Sequence, residues 1–276
     1  TTATTPTVFN VGNSSPVVAG YTNFLSVGYG MFALRPDGDL WGAGANANGQ
    51  LGNGSTATAQ STPARVLLPA GVKARSATAA SGANFFVTTD NNVYAAGTCS
   101  NGILGSNYTI SGCTNQSVPV RVNLPTPNVS DPDTIPTDNI VSDRYNTYIR
   151  MAGGRVYGWG ANEYGQLGVE DFQASSNPVK IGTFGDSGKT NAIQIASDGV
   201  TLSILDDQGK VYSLGANTYG TMGSTAMKLR FPKTSEVNYC MTGTATTATV
   251  ATCATGGAQD WQMRTDGSIY NATYNV

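Results

Sequence analysis

Apolar residues in this chain come in short bursts of about five positions, as in Phe85–Thr89, Val156–Trp159 and Leu202–Leu205, separated by Gly, Asn and Asp. Bursts of that length between turn-forming residues predict many short strands and tight turns, and no long helix. No apolar run approaches the roughly 20 residues that a membrane helix needs, so no membrane insertion by this segment is expected.

The bursts recur in pairs, and the pairs are copies of one unit. FALRPDGDLWGAGANANGQLG runs from Phe32 to Gly52, YIRMAGGRVYGWGANEYGQLG from Tyr148 to Gly168, and LSILDDQGKVYSLGANTYGTMG from Leu202 to Gly223. FFVTTDNNVYAAGTCSNGILG covers Phe85 to Gly105, and a truncated copy begins at Trp261. Equivalent positions, Gly44, Gly97, Gly160, Gly215 and Thr273, lie 53, 63, 55 and 58 residues apart, the length of one propeller blade each. Each copy reads as a hairpin whose Asp-Gly, Gly-Gly or Asn-containing turn supplies positive φ at low steric cost. Segments such as Pro63–Val66 with Ala74–Ala80, and Pro178–Ile181 with Ala192–Ala196, supply the outer two strands of each blade.

The order apolar strand, Asp-Gly, Val-Tyr-x-Trp-Gly, x-Asn-x-x-Gly-Gln-Leu-Gly, then Pro-x-x-Val resembles the repeat of the regulator of chromosome condensation family. It is strongest at Val156–Gly168 and Leu40–Gly52, with Pro63–Val66 and Pro178–Ile181 following. The resemblance implies an all-β propeller of four-stranded antiparallel blades around a central channel. Members of that family usually carry seven blades and a His just ahead of the hairpin. This chain shows five copies and no histidine. The expectation is a ring of five blades, or six if an insertion folds as a blade. Pairing of Pro6–Phe9 with the strand at Tyr270–Val276 would close it and leave no long free edge. Residues 1–5 read as a Thr-rich linker remnant, and 6–276 as one domain.

Composition changes this picture in one respect, the compartment. The four cysteines fall into two local pairs, Cys99 with Cys113 and Cys240 with Cys253, without zinc-knuckle spacing. Two self-closed disulfide loops are the simplest reading, and disulfides persist outside the cytosol, so an extracellular or cell-surface location is expected. Net charge is −2 with Lys and Arg scattered, which lacks the concentrated basic face of a nucleic-acid binder.

Two stretches exceed the repeat, at about 99–138 and 224–257, and both leave after the glycine that follows the Val-Tyr strand. Equivalent loops of a propeller emerge on one face, so both are expected to decorate a single surface. Tyr164 and Tyr219, just before the recurring glycine, with Asn162 and Asn217 beside them, are the candidate binding residues there, since loop-tip aromatics anchor partners or stack on sugars. Trp41, Trp159 and Trp261 read as blade packing. Asp131, Asp133 and Asp138 form an oxygen-rich stretch able to hold calcium, although the spacing matches no complete calcium loop. Asp37 with Asp39 and Asp206 with Asp207 sit in hairpin turns, where Asp serves the backbone. Without histidine, and with its thiols paired, the chain has no Ser-His-Asp or Cys-His machinery.

These features point to a non-enzymatic extracellular binding module. It would be an adhesin head or a pilus- or surface-associated display domain, alone or as one part of a larger surface protein or filament, with a protein or glycan ligand. A secreted inhibitor or regulator of an enzyme is the alternative. An intracellular guanine-nucleotide exchange or chromatin factor, which the resemblance suggests, fits the cysteines less well.

Overall fold

A computed structural model describes residues 23–27, 30–80, 82–107, 113–143, 145–169 and 171–216. It also describes the strand segments 228–229, 239–244, 247–252, 261–263 and 269–271. The chain divides into two compact units, Thr1–Ala216 and Asn217–Val276.

The first unit is four consecutive antiparallel sheets, each a meander in chain order. Sheet 1 holds β1 (Asn23–Val27), β2 (Gly30–Leu34), β3 (Leu40–Ala45) and β4 (Ala59–Arg65). Sheet 2 holds β5 (Ala74–Ala80), β6 (Ala83–Thr88), β7 (Val93–Gly97) and β8 (Gln116–Arg121). Sheet 3 holds β9 (Pro136–Ser142), β10 (Asn146–Met151), β11 (Val156–Gly160) and β12 (Ser175–Lys180). Sheet 4 shows β13 (Ala192–Ser197), β14 (Thr201–Asp206) and β15 (Val211–Gly215). In the second unit β16 (Lys228–Leu229), β19 (Trp261–Met263) and β20 (Ile269–Asn271) form a three-stranded sheet. There β17 (Tyr239–Thr244) pairs with β18 (Thr247–Thr252) as a hairpin inside the 224–257 stretch.

All five predicted repeat hairpins form, as β2–β3, β6–β7, β10–β11, β14–β15 and β19–β20. Two details of the sequence reading change. Pro63–Val66 and Ala74–Ala80 do not share a blade, because the first lies at the end of β4 in sheet 1 and the second opens sheet 2. Pro178–Ile181 and Ala192–Ala196 divide in the same way between sheets 3 and 4. The stretch 99–138 is not one insertion either, for β8 runs through it and carries its own Pro119-x-x-Val122 step. The proposed ring-closing partner Pro6–Phe9 lies outside the described residues.

Packing follows from the two-residue period of a strand. Neighbours on a middle strand face opposite sheets, so each middle strand serves two interfaces. Phe86 packs toward sheet 1, edge-on to Phe32 at 5.6 Å, while Phe85 packs toward sheet 3, edge-on to Trp159 at 6.0 Å. Tyr148 and Ile149 divide likewise, Tyr148 among residues of sheet 4 and Ile149 among those of sheet 2. This explains why β6 is buried at every position, with Phe85, Phe86 and Val87 as consecutive apolar residues at its centre. The inner strands β5, β9 and β13 lie side by side and are joined across sheets by Arg75–Asp138 and by the Ile195 N–H donating to Asn139 Oδ1.

The middle hairpins of sheets 2, 3 and 4 end on glycines, Gly97, Gly160 and Gly215, whose backbone leaves no room for a Cβ. At Gly160 (φ +106°) an added Cβ would overlap the Tyr145 carbonyl oxygen, and at Gly97 (φ +121°) that of Gly82. The pairing with the outer strand shifts register just there, a bulge that lets the chain leave the sheet into a long loop.

Candidate ligand-binding face

The strands of the first unit alternate in direction, so each sheet has a hairpin-turn end and a glycine end. The glycine ends carry the long connections 46–58, 98–115 and 161–174. In the first, Asn46 is buried; its Oδ1 accepts the Leu51 N–H (3.0 Å) and its amide donates to Ser55 O (2.9 Å) and Asn53 Oδ1 (3.2 Å). Gln50 Oε1 accepts the Asn48 N–H, and Leu51 plugs the core between sheets. The turn at 162–168 repeats this: Asn162 Oδ1 accepts the Leu167 N–H (2.9 Å) and Gln166 Oε1 the Tyr164 N–H (2.9 Å). The Asn-x-x-Gly-Gln-Leu-Gly motif is therefore a self-clamping turn. One difference stands out. Val169 occupies the place of Asn53, and the buried Asn162 Nδ2 has no partner.

In sheet 2 the clamp is covalent. Cys99 holds the place of Asn46 and Asn162, and its sulfur is bonded to Cys113, 14 residues on. The Asn115 amide then donates to Asn48 Oδ1, tying this loop to the turn of sheet 1. Trp159 is fully buried and donates from Nε1 to Ile103 O (2.6 Å), pinning the same loop to sheet 3. It is a packing residue, as expected.

This geometry sorts the predicted binding residues. Tyr164 stands at the tip of its turn, 52% exposed. Asn162 presents nothing to solvent, because its carbonyl is spent on the turn. Tyr219 and Asn217 lie outside the described residues, as does the Cys240–Cys253 pairing. The sequence reading missed two aromatics at the same end of sheet 3, Tyr145 (39% exposed) and Phe172 (40%). The Phe172 ring lies over Gly165, where an added Cβ would meet it at 3.2 Å. Tyr145 aligns with Tyr29 of the first repeat, a signal the sequence carried, whereas Phe172 has no aromatic counterpart in the other copies.

The charges here are one-sided. Asp143, Glu163, Asp171 and Asp198 lie in glycine-end connections, and among the described residues no Lys or Arg does. Asp143 accepts the N–H groups of Tyr145 (2.7 Å) and Asn146 (3.0 Å) and the Ser197 hydroxyl (3.2 Å). Burial pushes its carboxyl above the ordinary range and Asp198 adds to the push, against those hydrogen bonds. All seven ion pairs among the described residues lie in the other half of the sheets.

The aspartates considered for calcium belong to that other half and are already committed, each differently. Asp131 Oδ1 accepts the Asp133 N–H at the start of a short 3-10 turn. Asp133 faces Arg155 (3.4 Å), and Asp138 pairs with Arg75 (3.0 Å) and accepts from Ser76. No group of three potential metal ligands occurs among the described residues. The disulfide loop and the Asp-rich loop leave sheet 2 at opposite ends, so the 99–138 stretch does not decorate one face; the 224–257 stretch, expected to share that face, belongs to the second unit.

Residues 37–88 and 153–199 match the family model of the regulator of chromosome condensation (RCC1) repeat. The Regulator of chromosome condensation of Xenopus laevis is 35% identical over 79 residues, 29% of this chain and 18% of that protein. Human WBSCR16 superposes with a TM-score of 0.60 at 20% identity, covering 90% of this chain and 62% of that one. Prp20p of Saccharomyces cerevisiae gives 0.56 at 23% identity, covering 90% and 56%. The chain thus spans less than two thirds of each of these proteins. The matched segments are RCC1-type repeats, and the meandering four-stranded sheets give the chain the β-propeller fold of these proteins.

Proposed function

We propose that this chain is an extracellular, non-enzymatic binding module, of the adhesin-head or surface-display kind, that engages a macromolecular partner through the glycine end of sheet 3. The observation that carries the reading is the group of half-exposed aromatics, Tyr145, Tyr164 and Phe172, on a rigidly clamped scaffold. Large aromatic surface held in water is costly unless a partner covers it, and such side chains dominate binding interfaces. The Cys99–Cys113 disulfide supports an oxidising compartment. Protein binding has precedent among similar propellers: Prp20p is described with binding properties toward Gsp1p and histones.

A photo-crosslinking amino acid at position 164, compared with one at Lys189 on the hairpin-turn end, tests the reading in the native host. Discrete adducts from position 164 and none from 189 are expected. Equal labelling from both, or adducts from 189 alone, would overturn it. Cell fractionation with thiol alkylation tests the compartment: the chain should be found outside the cytosol with Cys99 and Cys113 protected until reductant is added.

A further inference from the structure

We infer that the glycine end of sheets 3 and 4 is a docking surface for an extended, cationic protein segment carrying at least two Lys or Arg side chains. This deepens the binding reading above and rests on it. The argument is charge complementarity combined with exposed aromatic surface. By sequence, the connections at this end carry five carboxylates (Asp143, Glu163, Glu170, Asp171, Asp198) against one guanidinium, Arg144. Among the described residues no ion pair neutralises Asp143, Glu163, Asp171 or Asp198. At the other end the same protein pairs its charges, as Asp39 does with Lys73 and Arg65. The acidic bias therefore belongs to one end alone.

The aromatics say what kind of cation suits the surface. Tyr164 follows Glu163 directly, and Phe172 follows Asp171, so each half-exposed ring has a carboxylate as its chain neighbour. A ring face next to a carboxylate suits a Lys or Arg side chain, whose stem lies on the ring while its charged head meets the acid. Asp143 and Asp198 add a second acidic point, held together by Ser197: its hydroxyl donates to Asp143, and its strand runs directly into Asp198. That point lies on the inner connections, between β9 and β10 and between β13 and β14, whereas Tyr164 lies between β11 and β12. Two strand spacings separate the two points, about 10 Å, which a single small cation cannot bridge but an extended peptide with alternate basic residues can.

The probe is a fluorescent peptide alternating Lys with Ser, set against a Ser-only and a Glu-Ser version, titrated into the full chain by anisotropy at low and physiological salt. A glycan array is run in parallel. The Lys peptide should bind, weaken with salt, and lose affinity about tenfold both with Tyr164→Ala/Phe172→Ala and with Glu163→Gln/Asp198→Asn. Asp186→Asn, at the far end, should change nothing. Tyr164→Phe, which keeps the ring, should retain binding and so exclude misfolding as the cause of the losses. Equal binding of the Ser-only peptide, Lys binding indifferent to the Tyr164 and Glu163 variants, or selective capture of neutral glycans would overturn the inference. Position-specific crosslinks at 164 together with no Lys-peptide binding would remove the cationic partner and leave the binding face standing. Absence of crosslinks would remove both.

Discussion

The two ends of the same four sheets are built from the same strands and held by different forces. At the hairpin-turn end the connections carry both signs of charge, and opposite charges meet there: Lys73 with Asp39, Arg75 with Asp138, Arg155 with Asp186. At the glycine end the described connections carry carboxylates and no Lys or Arg, and the long ones hold themselves by buried amides, a disulfide and a buried Trp. Exposed ion pairs are worth little each and fade with salt, whereas packing and buried hydrogen bonds do not. The difference explains how a surface can be left acidic and aromatic without loosening the loops beneath it.

The largest expected effect breaks the glycine end at its packing. Trp159→Ala removes a fully buried indole wedged between sheets 2 and 3 and strands the Ile103 carbonyl. A loss of about 3–5 kcal/mol is expected by urea denaturation, unchanged between low and high salt. A salt-dependent loss would mean that electrostatics, not packing, holds this end.

Second comes the covalent clamp. Cys99→Ser with Cys113→Ser opens a loop of about 15 residues and should cost roughly 3 kcal/mol. Asn46→Ala, which removes the equivalent non-covalent clamp, should cost about 1–3 kcal/mol through the orphaned Leu51 N–H. If the disulfide variant loses less than the Asn46 variant, Cys99 is not the counterpart of that asparagine.

Much of this scaffold was legible in the residues. The five hairpins followed from alternation and from repeated turn glycines, because period-2 burial and positive φ leave direct marks on composition. The strand β8 was equally legible in Pro119-x-x-Val122 and was overlooked because the cysteine loop before it hid the repeat's phase. The site was less so. Asn162 was chosen for its place in a loop, but a motif asparagine in a tight turn is most useful to its own backbone. Tyr145 was legible through its counterpart Tyr29, but Phe172 carries no repeat signature, and the exposure of either ring depends on the folded connections and not on the repeat. Likewise the spacing of Asp131, Asp133 and Asp138 concealed that each has a different partner.

The third prediction concerns the charged end. Burial alone would raise Asp39, but hydrogen bonds from Lys73 and Arg65 outweigh it and hold its carboxyl below the ordinary range. A depressed folded value means stability present above the unfolded carboxylate pKa and lost as pH falls through the lower folded one. Because Lys73 and Arg65 are each more than a third exposed, Asp39→Asn should cost at most about 1 kcal/mol at neutral pH. The cost should shrink in high salt and vanish in acid.

Asp143 makes the smallest effect, with the opposite sign. Burial raises its carboxyl, so the folded state holds the proton more tightly than the unfolded one does. Its ionisation therefore lowers stability as pH rises from the unfolded value through the folded one, and the protein gains nothing from the charge at neutral pH. Asn at this position keeps an oxygen to accept the Tyr145 and Asn146 N–H groups, and its amide can donate to the Ser197 hydroxyl. Asp143→Asn should thus stabilise by about 0.5 kcal/mol at neutral pH and by nothing in acid, read by thermal melts across pH. The contrast with Asp39→Asn, destabilising over the same range, is the sharpest test of the two ends. Variants that shift in the same direction would mean that the ends do not differ in how they treat charge. A gain at Asp143 that a Lys-Ser peptide reverses, by binding the native carboxylate and not the amide, would tie that unneutralised charge to the docking surface.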